Sequence, residues 1–235
     1  MTVYTREQWG SSLPRGGYAI AGPVGEAYVH HFNSGITAPR TVDEAMSRMR
    51  GAQAYHANTQ GWGDIGYSWC VDELGNIYEG RGWFRTGAHT YGYNSKGYGI
   101  CWLGDSNVAV PSDAAIAAVA ECVRMGVAAG ALVDGPTVVA HRDRVPDTAC
   151  CGDPMYLRLD DIRRLVAVGG VPEDGGEDKD KDMPALLCNI DGSIYGCFAD
   201  GIWRMLGGAE YTHWSAKGVD QVAYTKDEWA TLRGW

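Results

Sequence analysis

The sequence predicts an α/β domain with a mixed central β-sheet flanked by helices, followed by a small β-rich C-terminal module. Three observations carry this expectation. Short apolar stretches of strand length alternate with longer segments whose apolar residues recur at helical spacing. Runs such as AYVHH and YGICWL are apolar almost throughout, as in strands covered on both faces. One acidic stretch poor in aliphatic side chains then separates about 170 residues from about 50.

In chain order, Ala27 to His31 reads as the first buried strand. Thr41 with Glu44 forms a capping box that opens a helix running toward Ala57, with Ala45, Met49, Ala52 and His56 on one face. Ile65 to Val71 and Asn76 to Glu79 flank a turn at Leu74-Gly75 and read as a hairpin. Tyr98 to Leu103 is another strand. Ile116, Ala120, Val123 and Val127 place a helix over Asp113 to Ala131, Pro136 to His141 returns as a strand, and Asp160 to Val168 closes the domain as a helix. Val171 to Pro184, VPEDGGEDKDKDMP, holds six acidic and two basic residues and cannot form a core, so it reads as a linker. The boundaries are therefore residues 1–170, 171–184 and 185–235. In the last segment CNIDGSIYGCF alternates apolar and polar residues around Asp191-Gly192, a β-hairpin signal, and eight aromatic residues follow the linker, four of them Trp.

The formal net charge of -9 and the lack of any basic stripe exclude a general nucleic-acid binder. The opening MTVYTREQWG has no signal-peptide pattern, and no stretch approaches the ~20 apolar residues of a membrane span. The expectation is a chain made in the cytoplasm, without membrane insertion. Seven cysteines lack the even spacing of a disulfide scaffold and read mostly as reduced thiols; Cys188 and Cys197 could pair across the C-terminal hairpin, but a chain made in the cytoplasm gives no strong reason to expect it.

Zinc favours imidazole nitrogen and thiolate sulfur, and a catalytic zinc keeps three protein ligands. His30 and His31 end the first strand, His141 ends the last, and Cys150 and Cys151 follow in a loop that Pro146 helps to turn. Spacing alone leaves the choice among these five open.

The stretches TREQWG, VHH, GWGDIGYSWCVDELGNIYEGRGW, TGAHTYGYNSKGYGICWLGD and AHRDRVPDTACCGDP, in that order from Tyr4 to Val166, resemble the type 2 N-acetylmuramoyl-L-alanine amidases. That group includes peptidoglycan recognition proteins and many bacteriophage endolysins. In it a His ending the first strand, a His in a GHRD-like segment and a Cys shortly after hold the metal. The resemblance thus implies His30, His141 and Cys150 as ligands of one zinc ion. His30 is preferred over His31 because it follows Tyr28 and Val29 directly, and His31 points to the opposite face. The family reads CPG where this chain reads CCG, which leaves Cys151 as a competing ligand or a redox-sensitive neighbour.

The same resemblance implies catalytic roles for Tyr67, in DIGY, and for Thr148, two residues before the Cys. It implies substrate binding by His89 and Asn94. His56 reads as core or as support behind the metal, Glu79 as a general base or as the partner of Arg81 or Arg85, and Asp143 as a residue that orients the strand end or His141. The activity implied is zinc-dependent hydrolysis of the amide between N-acetylmuramic acid and L-alanine in bacterial peptidoglycan. A monomeric phage endolysin acting on the wall after release at lysis fits that activity, with the C-terminal module as a wall anchor. The rival reading is a non-catalytic peptidoglycan-binding protein of the same fold; such relatives usually lack the Cys, which this chain has.

Overall fold

The computed structural model describes residues 1–32, 35 and 37–168, and, as backbone strands, 186–190, 193–197, 203–205 and 221–224. Two compact units divide the chain, Met1–Val171 and Pro172–Trp235. Among the described residues no helix is long and apolar enough to cross a membrane.

The first unit holds a six-stranded sheet in the order β1 (Val3–Tyr4), β4 (Ile77–Glu79), β3 (Trp69–Val71), β5 (Gly97–Trp102), β2 (Val24–His31) and β6 (Leu132–Ala140). Only the β3–β4 pair is antiparallel, so the sheet is mixed, as the sequence predicts. Strand alternation gives it two different faces. Ala27, Val29, Tyr98, Ile100 and Trp102 pack with α2 (Asp113–Ala128) and α4 (Leu159–Ala167) in one apolar core. On the other face Cys70, Tyr78 and Cys101 meet Ala45, Met49 and Ala52 of α1 (Val42–Ala54), with Trp9. Gly97 and Gly99 share the parity of Cys101 and leave space on that second face. A Cβ at Gly97 would stand 2.7 Å from the Tyr28 ring, and one at Gly99 2.5 Å from the His89 ring.

Several elements differ from their expected form for local reasons. Thr41 accepts from the Glu44 N–H at 3.2 Å, but Glu44 reaches back to the Arg40 N–H at 2.7 Å, one residue earlier than a capping box requires. α1 gives way at Tyr55–Thr59 to a π-helical turn, which buries His56. The hairpin around Gly75 starts only at Trp69, because the Ile65 carbonyl is taken by Arg81 Nε at 2.7 Å rather than by a neighbouring strand. Gly75 itself has φ +82 and lies against Ala114, so a side chain there is excluded twice over. β6 begins before Pro136; it lies at the sheet edge, where a missing N–H is tolerated. The two-residue β1 and the one-turn α3 (Asp153–Tyr156) were not expected.

In the second unit the strands run in the order β10 (Gln221–Tyr224), β7 (Leu186–Ile190), β8 (Ser193–Cys197), β9 (Trp203–Met205). β7 and β8 are antiparallel with Ile190 opposite Ser193, the hairpin expected around Asp191-Gly192. Their register sets Cys188 opposite Tyr195 and Cys197 opposite Leu186, so the two cysteines are not directly paired positions. The acidic linker and Trp214, Trp229 and Trp235 lie outside the described residues.

Candidate metal centre

β2 and β6 are parallel neighbours with Val29 opposite Ala140, so their carboxyl ends lie side by side. Sites in open α/β sheets form beyond such ends. The residues that follow this last pair are His30 and His141. His30 is 1% exposed and takes the α1 face of the sheet. His141 opens a 3-10 turn, His141–Asp143, and the Asp143 carboxylate fixes that turn by accepting from the Ala140 N–H at 2.8 Å and the Tyr156 hydroxyl at 3.0 Å. Asp143 therefore holds the strand end. Beyond it the Arg142 N–H donates to the Cys150 carbonyl at 2.8 Å, which folds the loop back, and the Cys150 N–H donates to Thr148 Oγ1 at 3.2 Å.

This loop brings Cys150 to the two histidines. His30, His141 and Cys150 each offer one ligand atom, all within 4.8 Å of one another, and His30 Nδ1 lies 3.6 Å from Cys150 Sγ. Nitrogen at ~2.0 Å and sulfur at ~2.3 Å from one tetrahedral zinc stand about 3.5 Å apart. The spacing and the donor types both fit that ion. Burial, with His89 and His141 nearby, holds His30 well below the ordinary histidine pKa, and burial lowers His141 too. Both rings are thus neutral and keep a lone pair to offer. Burial pushes the Cys150 thiol up to about 12, against the pull of the His31 backbone N–H toward the sulfur. A cation at this point supplies the charge that a buried thiolate otherwise lacks.

His31 turns to the opposite face. Its Nδ1 meets the Ser106 N–H at 3.1 Å, Ser106 Oγ at 2.9 Å and Asp105 Oδ1 at 3.4 Å. Cys151 is fully buried in the apolar core, and its carbonyl accepts from the Ser106 hydroxyl. Neither residue joins the His30 group.

Tyr67 stands beside the group, its ring centroid 5.3 Å from that of His30. Burial, together with the Cys101 thiol that it meets, raises its pKa well above the usual phenol range, so it keeps its proton. The preceding Asp64 is fully buried and does structural work: Arg6 grips it bidentately at 3.0 and 3.1 Å, Gln53 donates at 2.7 Å and the Gly16 N–H at 2.9 Å. His56 accepts from the Gly66 N–H at 3.2 Å and stacks on Trp62, supporting the Tyr67 segment from behind. His89 is buried, its ring 5.2 Å from His30, and its pKa falls to about 3 through burial first and His141 second. Asn94 uses its side-chain oxygen to accept from the His89 and Thr90 N–H groups at 2.8 and 2.9 Å, so it shapes the loop that carries His89. Thr148 caps the Cys150 turn as described. Glu79 pairs with Arg15 at 2.7 Å, not with Arg81 or Arg85; Arg81 is occupied by the carbonyls of Trp62, Ile65 and Thr86.

Thr90, lying between His89 and His30, was not singled out from the sequence, nor was the Arg6–Asp64 pair. Arg6 in TREQWG and Asp64 in GDIGY are 58 positions apart, and no local pattern links them.

A model of the N-acetylmuramoyl-L-alanine amidase family matches residues 23–153. A human N-acetylmuramoyl-L-alanine amidase is 40% identical over 158 residues, 66% of this chain and 27% of that protein, so the match spans about a quarter of that relative's length. Peptidoglycan-recognition protein SC2 of Drosophila simulans is 32% identical over 159 residues, 68% of this chain and 85% of its own. Among solved structures, the Drosophila PGRP-LB Y78F mutant in complex with tracheal cytotoxin superposes with a TM-score of 0.64 at 30% identity, covering 67% of this chain and 92% of that one.

Proposed function

The chain belongs to the N-acetylmuramoyl-L-alanine amidase family, and from that premise we propose that it is a zinc-dependent amidase that separates N-acetylmuramic acid from L-alanine in bacterial peptidoglycan. The observation that carries this reading is the His30, His141 and Cys150 group, with its 3.6 Å nitrogen-to-sulfur spacing. A relative is captured with tracheal cytotoxin, a monomeric diaminopimelic acid-type peptidoglycan, which supports the substrate class.

His30, His141 and Cys150 would hold the ion, and the chemistry it would supply there is Lewis acidity and activation of water near neutral pH. The rest falls to the chain. Tyr67 keeps its phenolic proton and donates it as a hydrogen bond to the oxygen of the lactyl carbonyl as negative charge develops. Thr148, in the turn before Cys150, offers a second hydroxyl beside that oxygen. The neutral His89 ring and its loop, shaped by Asn94, line the position of the first stem residue. Water gives its hydroxyl to the carbonyl carbon and a proton to the departing nitrogen, so the C–N bond breaks into a lactyl carboxylic acid and the L-alanine amine, and the acid's proton passes to the amine to leave carboxylate and ammonium. Cys150, as a ligand, takes no part as nucleophile.

The β-rich unit after residue 185 serves, in this reading, as an anchor on the insoluble wall, and a bacteriophage endolysin is the biological setting that joins the two activities. The test is mass spectrometry of digests made by the full chain and by residues 1–170. Both release fragments split at the lactyl amide, a chelator abolishes the release, and the shorter chain lags only on whole walls. Cleavage within the stem peptide, or full activity without metal, overturns the enzyme reading; equal rates on whole walls overturn the anchor.

A further inference from the structure

We propose that Thr90 is a positioning residue that fixes which nitrogen of His30 faces the metal. The proposal rests on the zinc reading above. Thr90 is fully buried, and its N–H is held by Asn94 at 2.9 Å. Its hydroxyl is thereby set between two rings, 2.9 Å from His89 Nδ1 and 3.4 Å from His30 Nε2. The opposite nitrogen of His30, Nδ1, is the one that faces Cys150 Sγ at 3.6 Å.

A metal-bound imidazole donates its second N–H to an oxygen, and that bond selects the tautomer and the ring angle. The Thr90 hydroxyl is the oxygen in reach of His30 Nε2. It has one proton and two lone pairs; with that proton kept within the row, the protons can be ordered in two ways. In the first, His30 Nε2–H points at Thr90, the Thr90 O–H points at His89 Nδ1, and His30 Nδ1 keeps a bare lone pair toward Cys150. In the second, every proton is reversed and His30 carries a proton on Nδ1, where it obstructs a cation. Only the first order is compatible with metal at His30 Nδ1. It also assigns a proton to His89 Nε2, an atom buried without a hydrogen-bond partner.

The far end of the row is rigid. A Cβ at Gly87 would lie 2.5 Å from His89 Nε2, and one at Gly99 2.5 Å from His89 Cγ, so these two glycines let the ring seat and confine it there. At 3.4 Å the Thr90–His30 contact is long for an N–H···O bond, so its direct contribution to stability is small.

The test compares zinc affinity, by competition with a chromophoric chelator, for the full-length protein and for Thr90→Val, Thr90→Ala and Thr90→Ser. Valine keeps the shape and loses the oxygen; alanine removes bulk, and reads the same loss if valine disturbs the loop. Both weaken zinc binding by about 10- to 100-fold. Serine restores affinity to within about threefold of the unaltered protein, a rescue that a purely space-filling role does not give. Affinity unchanged in valine and alanine, or serine as weak as valine, overturns the proposal. A second readout is independent of metal: nitrogen-15 NMR of the metal-free protein shows His30 protonated on Nε2. Protonation on Nδ1 overturns the proposal. If the unaltered protein binds no zinc, the proposed function fails, and the His30 tautomer compared between the unaltered protein and Thr90→Val still decides the role of Thr90: loss of the Nε2 preference in the variant supports it and an unchanged tautomer overturns it.

Discussion

His30 and His31 are neighbours on one strand, both buried and both held below the ordinary histidine pKa mainly by burial, yet they meet different surroundings. His30 looks out on Tyr67, His89, His141 and Cys150, a pocket of rings and one thiol. His31 is ringed by Asp105 and Ser106, and Ser106 in turn holds the carbonyl of Cys151. Cys150 and Cys151 also differ in surroundings: Cys150 Sγ faces His30, whereas Cys151 is fully buried and its carbonyl is held by Ser106. One face of the strand gathers donors for a cation; the other ties down the loop that delivers one of them. Pleat parity, and not residue type, assigns the roles of the two histidines, whereas the two cysteines lie in a turn and are sorted by the fold of that loop.

The largest effects are expected at the paired residues. Cys150→Ser and His30→Ala are expected to lose bound zinc and all wall-degrading activity, while Cys151→Ser and His31→Ala retain zinc and lose only stability, on the order of 1–3 kcal/mol for the buried polar change at Cys151. Zinc per chain by atomic emission checks both arms. The reverse pattern shows that the two faces have been exchanged. Next in size is Tyr67→Phe on the His30 face, which keeps zinc and fold but lowers turnover by about 10² to 10³, the effect of one lost oxyanion donor. Single-turnover rates on soluble muropeptides measure it, and near-normal turnover returns Tyr67 to the core. The smallest effect belongs to the His31 face. Ser106→Ala removes the donor to the Cys151 carbonyl and the contact to His31 Nδ1, costing about 1–3 kcal/mol in thermal unfolding with zinc affinity changed less than by Thr90→Val. A larger loss of zinc in Ser106→Ala than in Thr90→Val makes the second face part of the metal site.

Much of this was legible in the chain itself. The strand AYVHH, the helix over Asp113–Ala128 and the Gly75 turn follow from local patterns of burial and turn chemistry, and each formed close to where those patterns put it. The residues of the candidate metal site follow from a resemblance, and the fold brings His30, His141 and Cys150 to within one ion's reach. Less legible were the residues that hold those side chains still. Glu79 was matched to nearby arginines in its own segment, whereas the fold brings in Arg15, more than 60 positions away. Asn94 and Thr148 read from the resemblance as groove and catalytic residues; in the structure both also accept backbone N–H groups, Thr148 in a local turn two residues long and Asn94 from His89 and Thr90, five and four positions back.

The sequence by itself determined the periodicity of each element, the chemical types at the carboxyl ends of β2 and β6, and the acidic break near residue 171, because these depend on residues close together in the chain. Only the tertiary structure decided that Arg6 would clamp Asp64, that Gly87 and Gly99 would seat His89, and that Thr90 would stand between His89 and His30. Those contacts join segments up to 60 positions apart, and they exist only once strand order and pleat parity bring the segments onto the same face of the sheet.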